Sequence, residues 1–121
     1  MTYSKFYQFI DRLHEMTLRN KVQWEDTSLE DTYQANFPKY SVRIKRKAQP
    51  RDEDDFKISI FNEDGEAVEE FWDAELSRSA QSNYFTILRD IFETARRQAL
   101  GTEEALDELL SALEDDDDLP F

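Results

Sequence analysis

The stretch from Tyr84 to Leu113 constrains the fold more than any other. Tyr84, Leu88, Ile91, Phe92, Ala95 and Ala99 recur at steps of three or four, which lays one wide apolar stripe along one side of a helix. Gly101 takes positive φ at little cost and ends that helix. Thr102 follows as a candidate N-cap, and Glu103 and Glu104 put negative charge at the positive end of a second helix. Leu106, Leu109, Leu110 and Leu113 form its stripe. The spacing predicts an αα-hairpin with two apolar faces, which the rest of the chain must cover.

The chain has room for one core. Its 121 residues make a single domain, 1–113, followed by an acidic segment, 114–121, expected to be a disordered tail. A chain of this length buries roughly two thirds of its unfolded surface on folding. Hydrophobic residues make up 39%, with nine Phe, five Tyr and two Trp, which is enough for a core and argues against wholesale disorder. The lack of cysteine removes disulfides, thiolate metal sites and a cysteine nucleophile. No apolar run approaches the roughly 20 residues that span a bilayer, and Met1 to Arg12 is unlike a signal peptide. A cytoplasmic protein with no membrane partner is expected. The net charge of −13 argues against direct nucleic-acid binding, which needs a cationic footprint. It leaves open protein partners with basic surfaces.

Ahead of the hairpin the period changes twice. Phe6, Phe9, Ile10, Leu13 and Met16 stripe a first helix from Tyr3 to about Asn20, with His14 beside the stripe. His14 reads as a helix-surface residue, since neither an orienting partner nor a nucleophile can be named for it. Val22 to Asp31 reads as a connector holding Trp24, either a plug for the core edge or a contact residue. From Thr32 the period is two: Tyr33, Ala35 and Phe37, a turn at Pro38–Lys39, then Tyr40, Val42 and Ile44. After a polar loop, Ala48 to Asp55, Phe56, Ile58 and Ile60 alternate with polar residues. Asn62-Glu63-Asp64-Gly65 then turns the chain into a fourth strand, about Glu66 to Trp72, whose buried face is ambiguous. Asp73 to Asn83 has no clean period, and Ser79, Ser82 or Asn83 caps the next helix. The expected class is α+β: an N-terminal helix, a four-stranded antiparallel sheet of two hairpins, and the C-terminal helical hairpin packed on one sheet face.

Motifs for chemistry are scarce. Two glycines, at 65 and 101, leave no phosphate loop or dinucleotide fingerprint. A catalytic triad would need His14, and no Gly-x-Ser-x-Gly turn exists. Asp52 to Asp55 and Asp115 to Asp118 offer hard oxygen ligands without EF-hand spacing, and read as solvated charge runs. No cofactor, metal site or enzymatic activity is expected.

Charge is spread unevenly. Lys39 to Arg51 holds six basic residues and no acid, and Thr102 to Phe121 holds nine acids and no base. Arg43 and Lys45 share the polar face of one strand, with Lys47 two residues on. The acidic run Asp115, Asp116, Asp117 and Asp118 is tipped by Leu119-Pro120-Phe121. The candidate partner-binding residues are therefore Trp24, Arg43, Lys45, Lys47, Asp115 to Asp118 and Phe121. The functional reading is two separate docking surfaces, or a tail that folds back over the basic strand and masks it; the bland reading is a soluble strand face and a solubilising tail.

The Trp24 connector, the Asp-Gly hairpin from Phe56 to Trp72, and Ala95-Arg96-Arg97-Gln98-Ala99-Leu100-Gly101 followed by Leu106-Asp107-Glu108-Leu109-Leu110 resemble a class of small uncharacterised bacterial and phage proteins. The resemblance implies the helix, meander, helical-hairpin layout and a bacterial or phage origin, and it transfers no activity. The expected function is a non-enzymatic interaction domain, an accessory or regulatory subunit docking on a larger protein. A second copy is a further candidate to cover its apolar surface. The alternative is an acidic inhibitor that mimics nucleic acid in the basic groove of an enzyme.

Overall fold

Helix α1, Thr2–Leu18, turns Phe6, Ile10, Leu13 and Thr17 onto one buried face. Asn20, at φ 59, closes it: its N–H bonds Thr17 O at 3.0 Å and the Lys21 N–H bonds Met16 O at 2.9 Å. Those paired bonds satisfy carbonyls that the last turn leaves free, with asparagine in the left-handed position that glycine usually takes. The computed structural model from which these contacts come describes residues 2–51, 53–80 and 83–114.

Five strands follow, not four: β1 Trp24–Asp26, β2 Thr32–Asn36, β3 Ser41–Lys47, β4 Asp55–Phe61 and β5 Ala67–Trp72. They form one antiparallel meander in chain order. The extra strand is β1, three residues long, which is too short for any alternation to show. Register follows the apolar pattern. Tyr33, Ile44, Ile58 and Phe71 align across β2 to β5, and Ala35, Val42 and Ile60 align in the next row. Both rows face the helices. Phe71, packed at a tilt against Phe6 with ring centroids 4.7 Å apart, settles which face of β5 is buried. A register shift at Ile60/Phe61 accompanies the turn that follows. There Asn62 Oδ1 accepts the N–H groups of Asp64 and Glu66, each at 3.0 Å, and Gly65 takes φ 80.

A short helix that the sequence pattern does not announce, α2 Asp73–Ala80, follows directly. Eight residues, with Leu76 the one fully buried anchor among the described side chains, are too few to set up a period. Asp73 begins it and is buried, accepting the Phe56 N–H at 3.0 Å. Burial pushes its carboxyl above the ordinary value, against the pull of that hydrogen bond.

Helix α3, Tyr84–Ala99, is capped by Asn83, whose side chain accepts from the Thr86 N–H. It is the hub of the core and touches α1, α2 and strands β1 to β4. Tyr84, Leu88, Ile91, Phe92 and Ala95 are all buried. Phe92 meets Tyr33 and Phe56, in each case with centroids 5.5 Å apart. Gly101, at φ 67, separates α3 from α4, Thr102–Glu114.

The expected packing of the helical hairpin on the sheet holds for α3 and fails for α4. No residue of α4 is buried, and its contacts run to α3. The inner face of the sheet is already filled by α3, with α1 against it, so no apolar surface is left for α4 to cover. None of the described helices is long and apolar enough to cross a membrane.

Candidate functional site

Two open surfaces result. The first is α4. Leu106, Leu109, Leu110 and Leu113 are 43–59% exposed and lie at i, i+3, i+4 and i+7, one stripe on one side. Glu103, in the first turn, bridges to Arg97 of α3 at 2.7 Å. Glu103, Glu104, Asp107, Glu108 and Glu114 are the charged residues of this helix, and all are acidic. The groove between α4 and the end of α1 is lined by Leu18, Asn20, Arg97, Gln98, Glu103 and Glu104.

The second surface is the sheet face turned away from the helices. Three rows cross it: Thr32, Lys45, Lys57 and Trp72; then Glu25, Gln34, Arg43, Ser59 and Glu70; then Asn36, Ser41 and Phe61. Arg43 donates from Nε to Gln34 Oε1 at 2.8 Å, and its guanidinium lies 4.7 Å from the centroid of Phe61. Lys57 Nζ sits 5.3 Å from the Trp72 ring and 3.6 Å from Glu70. A hollow of about 140 Å³ opens among Leu29, Arg43, Lys45 and Phe61.

The basic run is therefore divided. Arg43 and Lys45 reach the open face, and Lys47 is exposed at the end of β3 opposite Asp55. Arg46 belongs to the core side, its guanidinium 5.0 Å from the centroid of Phe92 and 3.2 Å from Asp31. Trp24, a candidate contact residue, is 3% exposed. It donates from Nε1 to Thr17 Oγ1 at 3.2 Å, and its N–H bonds Gln98 Oε1 at 2.9 Å, so it ties β1 to α1 and α3. That is the plug rather than the contact. Asp115 to Asp118 and Phe121 lie outside the described residues.

His14 does have an orienting partner. Its Nε2 is 3.0 Å from Asp90 Oδ2, joining α1 to α3 across 76 residues of sequence, and the separation is why the pair was not legible. Tyr84 donates to Asp11 at 3.3 Å in the same seam, and burial together with the Asp11 carboxylate pushes its hydroxyl up to about 12. These contacts clamp helix to helix. Among the described residues no three His, Asp or Glu side chains converge on a point that could hold a metal ion.

The chain matches no protein-family model, no characterised protein and no solved structure.

Proposed function

We propose that the chain is a non-enzymatic protein-interaction domain, an accessory or regulatory subunit that docks on a larger protein through α4. The observation that carries this reading is the uncovered leucine stripe of α4. Anchors at i, i+3, i+4 and i+7 are the pattern by which an amphipathic helix enters a partner's groove. The helix has acids and no bases, so the fitting partner is a protein with an apolar groove bordered by Lys or Arg.

The test is affinity capture with the full chain and two full-length variants, followed by identification of the retained protein. Leu109→Glu with Leu110→Glu removes the apolar anchors. Asp107→Asn with Glu108→Gln removes charge and keeps the leucines. The docking reading expects the leucine variant to lose the partner at an unchanged melting temperature, and the retained protein to carry a basic-rimmed apolar groove. Loss with the amide variant alone would instead favour the nucleic-acid mimic, in which carboxylates make the contact.

A further inference from the structure

The two edges of the sheet are finished differently. At β1, three residues long, Trp24 turns its N–H out of the sheet and Gln98 of α3 accepts it. β5 is the last strand on the other side and has six residues. The Phe56 N–H points toward the β5 side, where Asp73 accepts it, so Ile58 and Ile60 send theirs the same way. Their partners Phe71 and Glu69 are the β5 residues that exchange bonds with β4, and Glu70 and Trp72 turn their N–H and C=O groups outward. Glu75 takes the Trp72 N–H at 3.2 Å and closes that end of the edge. Glu70 presents its donor and acceptor outward in the middle of the edge, with Val68, 53% exposed, two residues before it.

An edge of this kind is a template for a further strand. We propose that β5 takes up an extended, antiparallel segment of a partner protein in which two adjacent basic residues stand between apolar ones. The pattern is the complement of β5 itself, where Val68, Glu69, Glu70 and Phe71 run apolar, acid, acid, apolar. Glu69 belongs to a row on the helical side and Glu70 to a row on the open side, so the incoming strand needs one base on each face. Glu70 already meets Lys57 at 3.6 Å, and the incoming base shares that carboxylate. The adjoining turn adds Glu63, Asp64 and Glu66, and residues 62–77 contain no Lys or Arg. A second copy of β5 fits poorly. Antiparallel bonding pairs outward-facing residues with each other, and the two such registers centred on the strand oppose Glu70 to Glu70 or Glu69 to Glu69. Like charges directly opposed weaken the pairing. The site uses the sheet edge and leaves the leucines of α4 free, so it stands apart from the docking reading above.

Titration of the full-length chain with synthetic peptides tests it. The probe is acetyl-Thr-Val-Lys-Arg-Val-Thr-amide. Two analogues carry N-methyl groups on one or the other alternate set of backbone nitrogens, which keeps charge and side chains. A third has Glu in place of Lys and Arg. The probe should bind and slow hydrogen exchange of the Glu70 amide by about tenfold or more. One N-methyl analogue should bind about tenfold or more weakly and the other like the probe, since a bordering strand bonds through only one set of its N–H groups. The Glu peptide should fail as well. Simple attraction of a cation to an acidic chain would instead treat the two N-methyl analogues alike. Equal binding of those analogues, an unchanged Glu70 amide, a Glu peptide that binds as well as the probe, or no binding of the probe at concentrations on the order of 1 mM would each overturn the proposal.

Discussion

Lys45 on β3 and Lys57 on β4 stand directly opposite each other on the uncovered face of the sheet. Their ammonium groups share one face, and the nearest relief, Glu70, pairs with Lys57 at 3.6 Å. An opposed pair of like charges weakens a sheet, and an opposed pair of unlike charges strengthens it by about 0.2–1 kcal/mol. Lys45→Glu should therefore raise the unfolding free energy by up to about 1 kcal/mol. Urea denaturation at low and high salt checks this, and the gain should shrink with salt.

Trp24 carries the opposite expectation. It is buried, and its indole N–H and backbone N–H are both engaged by helix side chains. Trp24→Ala should cost about 3–5 kcal/mol, the range for a large aromatic removed from a core. A fall of that size in unfolding free energy would fit the plug. A change within ±0.5 kcal/mol, the range of a surface site, would not.

Asp73 gives a pH signature whose sign follows from its raised pKa. Its folded-state pKa lies above the unfolded value near 3.8, so the folded chain holds the proton more tightly. At neutral pH the buried charge subtracts from stability, and this penalty disappears as pH falls through the folded pKa toward the unfolded one. Asp73→Asn keeps an acceptor for the Phe56 N–H. It should gain on the unaltered chain at pH 7 and lose that advantage on acidification. Asp73→Ala leaves the N–H unmet and should cost about 1–3 kcal/mol. Denaturation of the three chains at pH 7 and pH 4 separates the two effects.

Much of this architecture is legible in the residues. The stripe from Tyr84 to Ala99 is long and clean, so α3 and its buried face follow from spacing alone. The alternations around Ala35, Val42 and Ile58, and the Asn62 to Gly65 turn, give four strands and their order. Elements that escape are short ones. β1 has three residues, and α2 has eight. Long-range partners escape too, as with His14 and Asp90. The basic run from Lys39 to Arg51 reads as one patch, yet strand parity sends Arg46 to the core side and Lys45 to the open one. For α4 the pattern identifies an apolar face correctly but carries no information on whether surface remains to cover it. That depends on α3 having already filled the sheet.

The account rests on α4 keeping its leucines uncovered, and amide hydrogen exchange of the isolated chain addresses this most directly. A 13-residue helix with little packing is marginal on its own in water. Amides from Ala105 to Leu113 should exchange orders of magnitude faster than those of Leu88 to Ala95, whose opening requires global unfolding. Protection of α4 equal to that of α3 in the dilute isolated chain would mean that its leucines are already packed, and would contradict the account.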